Sequence, residues 1–357
     1  MRLMVRFIGR IQFTIALMLM LFLLILFASF AQVDYGIFEA NRRYFSSWFV
    51  WFKSTPIFLG GYSIGLLLVL NLLASHATKL KFTRQYMGIF LIHFGLVLLI
   101  IGSAVTSFFG QEMQISITEG QEKNHVEFPS IFELVLVDTS KEDTDQIHIL
   151  NLSPQTPLIS FQSAQIKLIS SYTNAILNPR GIDSLKYEQL GEEYKLISLP
   201  KTYKMSERNI PGMAIEVMDG NVAKRYILWG GSSVYQSVVI NQKSYLIKLR
   251  PKRQYLAFSI FLDTFTKQDY PGTSTPKRFI SDIQLKTASG SVPFVIQMNQ
   301  PLRYNGYTFF QSSFTEDLQT SVFQVVKNPS WVMPYFSSLL IVMGLLMQMI
   351  FSMKRKS

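Results

Sequence analysis

The sequence predicts an α-helical membrane protein with four transmembrane helices, three before and one after a large mainly-β extracytoplasmic domain. Three observations carry this reading. Four long apolar blocks exclude charge, basic residues gather at one set of their ends, and the stretch between the third and fourth blocks alternates as half-buried strands do.

The blocks are Phe13–Phe30, Ile57–Ala74, Gly88–Gly110 and Val332–Met353. Each is about 18 to 23 residues long, enough to cross a hydrocarbon core of roughly 30 Å at 1.5 Å per residue. A helix in a soluble core has no reason to exclude charge on every face for five turns. The expected spans are residues 12–31, 56–75 and 87–109, within an N-terminal membrane region 1–110. A β-rich domain is expected over 111–330, and a last helix with a basic tail over 331–357.

Orientation follows from the basic residues. Arg2, Arg6 and Arg10 precede the first block, Lys79, Lys81 and Arg84 separate the second and third, and Lys354, Arg355 and Lys356 close the chain, with no acid in any of these segments. The loop between the first two blocks instead mixes Asp34 and Glu39 with Arg42, Arg43 and Lys53. The positive-inside rule then places both termini on the cytoplasmic side of the inner membrane and the β domain outside. The same three segments hold most of the formal net charge of +11, so the pI near 9.6 reflects topology and gives no reason to expect nucleic acid. Ser29 and Ala31 stand small-x-small before Gln32, as at a signal cleavage site, but the apolar stretch is longer than a signal core and is expected to be retained. The chain has no cysteine, which excludes a thiol redox role, a Cys-based zinc site and an iron–sulfur cluster formed by its own residues.

From Gln111 to Ser330 about eleven short alternating segments are read as strands of a sandwich or barrel-like domain. Met113–Thr118, Ile131–Val137, Gln146–Leu152 and Gln165–Ser171 are early examples; Tyr245–Leu249, Tyr255–Phe265, Phe279–Lys286 and Tyr307–Ser312 come later. Asp219-Gly220-Asn221, Gly230-Gly231, Pro271-Gly272, Ser289-Gly290 and Asn305-Gly306 supply turns. Gly181–Lys204 is the segment least open to assignment.

The sequence contains no HExxH, phosphate-binding loop, dinucleotide fingerprint or nucleophile elbow, and no residue stands out as catalytic. Paired acids such as Glu142-Asp143 and Glu192-Glu193 read as solvated loop charge. Of the four histidines, His93 differs by position. It lies about 8 to 10 Å inside the third apolar block from its cytoplasmic end, where polar side chains face a partner or a functional cavity. A neutral imidazole there has a free lone pair, so His93 is either a helix–helix hydrogen-bonding group or a metal ligand. Gly88, Gly95 and Gly102 form a small-residue stripe on nearly the opposite face, suited to close packing by another helix. His76 reads as an interfacial residue beside Lys79, and His125 and His148 as structural. The aromatics Tyr35, Phe38, Tyr44, Phe45, Trp48 and Trp51 form either an interfacial belt or an apolar surface for a flat ligand.

Several segments, taken in order, resemble the ResB (CcsB) family of system II cytochrome c biogenesis proteins. They are Phe27-Ala-Ser-Phe-Ala-Gln-Val-Asp-Tyr-Gly, Tyr44-Phe-Ser-Ser-Trp-Phe, Asn71-Leu-Leu, His93-Phe-Gly-Leu and Thr118-Glu-Gly, then Phe279-Ile-Ser-Asp and Asn299-Gln-Pro-Leu-Arg-Tyr-Asn-Gly-Tyr-Thr-Phe-Phe-Gln-Ser-Ser-Phe. The resemblance spans nearly the whole chain, including the three-plus-one arrangement of helices. It implies a non-autonomous subunit of a holocytochrome c synthase that handles haem b across the membrane and supports its attachment to the Cys-x-x-Cys-His motif of apocytochrome c. By the same resemblance His93 is an axial ligand to haem iron. The partner is a CcsA-type membrane protein carrying a tryptophan-rich haem-handling motif, absent here, where Trp229-Gly-Gly is the nearest approach. The competing reading is a non-catalytic membrane scaffold that stabilises such a partner or binds apocytochrome.

Overall fold

The computed structural model describes residues 2–79, 83–139, 146–181, 186–203, 209–273, 275–315 and 319–354. Lys81, Arg355, Lys356 and the pair Glu142-Asp143 lie outside the described residues. The chain divides into two compact units. One comprises Met1–Gln111, Tyr304–Tyr307 and Val326–Ser357, and the other Glu112–Arg303 and Thr308–Val325.

The first unit is built from helices. A short α1 (Arg2–Ile8) leads into α2 (Ile11–Ala40), followed by α3 (Gly61–Lys79), α4 (Met87–Phe109) and, after the β domain with its single-turn α5 (Leu190–Glu193), α6 (Met333–Lys354). Among the described residues, four stretches are long and apolar enough to cross a membrane: Ile11–Phe45, Gly61–Thr78, Met87–Phe109 and Met333–Met353. Gly36 breaks the helical conformation of α2 at φ 75°, a backbone setting that glycine adopts without steric cost. Beyond α2 the chain forms an aromatic hairpin, β1 (Phe49–Phe52) paired antiparallel with β2 (Thr55–Leu59), so Ile57 lies within a strand and the second span starts at Gly61. Trp51, Phe52 and Ile57 of this hairpin are exposed, while Trp48 packs edge-on to Tyr62, which stacks on Phe108 at 4.7 Å.

Two polar contacts and one glycine stripe fix the helix packing. Asn71 of α3, buried, donates from Nδ2 to the Ile8 carbonyl at 2.6 Å and accepts from Thr14 Oγ1 at 2.9 Å, tying α3 to α1 and α2. Ser330 donates to the Gly102 carbonyl at 2.9 Å and joins the end of α4 to the start of α6. Along the same pair of helices Gly88, Gly95 and Gly102 are buried against α6. A Cβ at Gly88 would lie 2.7 Å from both the Gln348 nitrogen and the Gly344 carbonyl oxygen, and one at Gly95 2.9 Å from the Ser337 carbonyl oxygen. The small residues thus allow backbone-to-backbone approach, as the sequence stripe predicts.

The second unit is a β domain of two packed sheets and a separate two-stranded sheet, β8 (Ala175–Pro179) paired antiparallel with β9 (Tyr194–Ser198). The larger has the strand order β15 (Gly290–Gln297), β14 (Pro276–Thr287), β13 (Lys243–Asp269), β4 (Glu122–Asp138), β3 (Gln111–Thr118), β18 (Thr320–Lys327), β17 (Tyr307–Phe314) and β16 (Leu302–Tyr304), with β12 (Gln236–Ile240) beside β13 and β5 (Gln146–Leu150) beside β4; the smaller runs β11 (Val222–Trp229), β10 (Gly212–Asp219), β7 (Ala164–Tyr172) and β6 (Leu158–Phe161). Apolar residues alternate inward from both, and Leu134, Leu136, Ile166, Ile215, Tyr226 and Tyr245 belong to the core that they share. Two strands are far longer than the sequence pattern suggests: β4 (Glu122–Asp138) and the 27-residue β13 (Lys243–Asp269). The alternation reads β13 as two strands because Pro251 interrupts it. The chain instead continues through the proline with an irregular register between Pro251 and Lys252 and another between Tyr255 and Ile260. Such irregularities let one long strand change face without ending. Within this pairing Arg250 stands directly opposite Glu133, and both are buried, with Arg250 Nε and Nη2 each 3.0 Å from Glu133 Oε1.

Candidate functional site in the membrane helices

His93 sits six residues into α4, about 9 Å from its start at 1.5 Å per residue. His76 sits three residues before the end of α3, about 4.5 Å from that end. Consecutive helices joined by a short turn run antiparallel, so both imidazoles lie near the same end of the helix pair. The two rings meet with centroids 4.9 Å apart and planes at 76°. Phe90, one turn before His93, also packs edge-on to His76 at 5.4 Å and stacks with Phe94 at 6.4 Å.

The polar atoms of this pair are the unusual feature. His76 Nδ1 lies 2.7 Å from the carbonyl oxygen of Leu72, four residues back on its own helix. A carbonyl can only accept, so the proton belongs on Nδ1 and the lone pair on Nε2. That Nε2 is enclosed and has no hydrogen-bond partner, and neither has the enclosed Nδ1 of His93. Native proteins leave few buried polar atoms unpaired, and each such atom costs about 1–3 kcal/mol. The ring nitrogen whose lone pair could reach an iron centre is His93 Nε2, which is not among the enclosed, partnerless atoms.

The structure brings His76 to His93, a contact that reading His76 as interfacial missed. The available signal was two histidines flanking one short turn between apolar blocks. The other histidines lie in the β domain. His125 in β4 lies 3.7 Å from Glu127, with its ring beside Tyr255 at 5.6 Å. Burial would raise the Glu127 carboxyl, but hydrogen bonding to His125 and the Arg253 guanidinium at 2.9 Å outweigh it and hold the group below the usual carboxylate range. His148 in β5 packs on Phe161 at 5.0 Å. Among the described residues no three metal-capable side chains cluster.

Four apolar helices, three before and one after a large β domain in chain order, define the class: a multi-pass membrane protein. Residues 217–322, within the β domain, match the model of the ResB-like family. Over 328 residues the chain is 24% identical to Protein NrfI of Wolinella succinogenes, covering 89% of this chain and 32% of that protein. The chain therefore spans about a third of the length of the curated relative that it matches. The two comparisons bear out the resemblance to ResB proteins.

Proposed function

We propose that this chain handles haem within the cytoplasmic membrane and supports its covalent attachment to apocytochrome c outside the cytoplasm, as one subunit of a system II cytochrome c synthase. The observation that carries the reading is His93: an imidazole within a membrane span, packed against a second imidazole, with its Nε2 outside the enclosed, partnerless pair of ring nitrogens. Haem b is the substrate, and the role of His93 is to hold its iron through one axial imidazole bond. The second axial ligand comes from a CcsA-type partner with a tryptophan-rich motif. The ResB-like match and the charge asymmetry of the helix ends support this assignment, with termini cytoplasmic and the β domain extracytoplasmic. The β domain then presents the Cys-x-x-Cys-His segment of apocytochrome to the haem, and a chain with no cysteine forms no mixed disulfide with it.

The test is a maturation assay in a host stripped of its own cytochrome c assembly proteins, supplied with this chain, a CcsA-type partner and a c-type cytochrome reporter. Haem covalently bound to the reporter is expected with the wild type, to be lost with His93→Gly, and to return when imidazole is added to the medium. Full reporter maturation by His93→Gly without imidazole would leave only the scaffold reading.

A further inference from the structure

His93 and His76 carry complementary unsatisfied atoms, and that complementarity points to a role for His76. The bond from His76 Nδ1–H to the Leu72 carbonyl leaves Nε2 as an acceptor, enclosed and unused. The ring packed against it, His93, has an Nδ1 that is also enclosed and unused, whereas Nε2 of the same ring is not among the enclosed, partnerless atoms. A neutral imidazole has one N–H and one lone pair, so the two enclosed nitrogens can satisfy each other only if His93 holds its proton on Nδ1. A nitrogen–nitrogen hydrogen bond of about 2.9 Å, with each nitrogen about 1.1 Å from its ring centre, needs centroids about 5 Å apart. The observed separation of 4.9 Å is compatible with such a bond at the present spacing of the two rings. Rotation about an imidazole χ2 is soft.

We propose that His76 is a positioning residue for His93: His93 Nδ1–H donates to His76 Nε2, whose own Nδ1–H donates to the Leu72 carbonyl. The relay fixes the tautomer and the plane of the His93 ring, and it leaves His93 Nε2 as the lone-pair atom. A ligating histidine that donates its other N–H to a protein acceptor is a stronger and better oriented ligand. Phe90, edge-on to His76, restricts that ring, so the relay is held from both sides. The consequence for iron rests on the haem reading above; the tautomer does not.

The test therefore has two arms. In the first, the full chain is labelled with 15N-histidine, purified without haem, and its imidazole nitrogens observed by NMR, with His93→Gly and His76→Phe used for assignment. Wild-type His93 is expected in the Nδ1–H form, and His76→Phe, which keeps the aromatic contact and removes the acceptor, is expected to release it to a mixture of tautomers. A wild-type His93 protonated on Nε2 overturns the proposal without need of any variant. In the second arm the haem-loaded complex with its partner is measured for haem dissociation rate and Soret position. His76→Phe is expected to lose haem about 10- to 100-fold faster with a shifted Soret band, and His76→Gln, which restores an acceptor, to recover most of the difference. If His93→Gly abolishes haem binding while His76→Phe is unchanged in both arms, the relay is wrong and the ligand assignment stands. If His93→Gly binds haem normally while the NMR arm shows the relay, the ligand assignment is wrong and the hydrogen bond stands.

Discussion

Replacing Arg250 by Met is expected to destabilise the β domain by about 3–5 kcal/mol, because it strands a buried carboxylate. Arg250 and Glu133 are side by side on β13 and β4, with side chains only 4% and 6% exposed. Arg250 makes two contacts of 3.0 Å to Glu133 Oε1. The remaining contact to that oxygen, the Arg253 backbone N–H at 3.4 Å, is too long to take over. The loss reflects an uncompensated charge more than the worth of the pair, so the double replacement Glu133→Leu with Arg250→Met is expected to recover most of it. Circular-dichroism melting of the detergent-purified chain reads both outcomes. A single Arg250→Met that melts as the wild type does would contradict this account of the pair.

Gly88→Ala is expected to weaken the union of α4 and α6 by about 1–3 kcal/mol. The added carbon would lie 2.7 Å from two backbone atoms of α6, the Gln348 nitrogen and the Gly344 carbonyl oxygen, and backbone cannot swing aside as a side chain does. Gly344 faces the same constraint from the other helix, 2.7 Å from the Gly88 carbonyl oxygen. Gly65 of α3 is the control. Its Cβ would meet only Ile100 Cγ2 at 3.6 Å, an ordinary contact. Alanine outranks glycine as a helix former by about 1 kcal/mol, so Gly65→Ala should be neutral or stabilising. Opposite signs for the two alanines, read from melting temperatures in one detergent, would tie the effect to packing.

Much of this architecture is legible in the chain because the membrane imposes coarse rules. Charge-free blocks announced the four spans, and seven-residue glycine spacing announced the face of α4 that meets α6. The depth of His93 marked it because an imidazole in hydrocarbon needs a reason. What stayed hidden depends on registration between elements far apart in sequence. Nothing local in Leu72–Ala77 says that His76 will meet the ring of His93; the packing of α3, held by Asn71 on the Ile8 carbonyl, determines that. The Arg250–Glu133 pair was equally silent, since single charges within alternating strands read as solvent-facing until the partner strand covers them. The length of β13 was masked by Pro251, a residue that ordinarily ends a central strand and here sits at a register irregularity. The hairpin of Phe49–Phe52 and Thr55–Leu59 was lost among aromatics that an interface also attracts.

The central claim is that a single imidazole in α4 holds haem iron. Its most direct test is the optical spectrum of the complex purified with its partner, recorded for the wild type and for His93→Gly with and without imidazole. A Soret band in the wild type, lost from most of the His93→Gly complex and restored with a bis-imidazole signature by added imidazole, is the predicted result. A His93→Gly complex that keeps the wild-type haem content and Soret position without imidazole would contradict it.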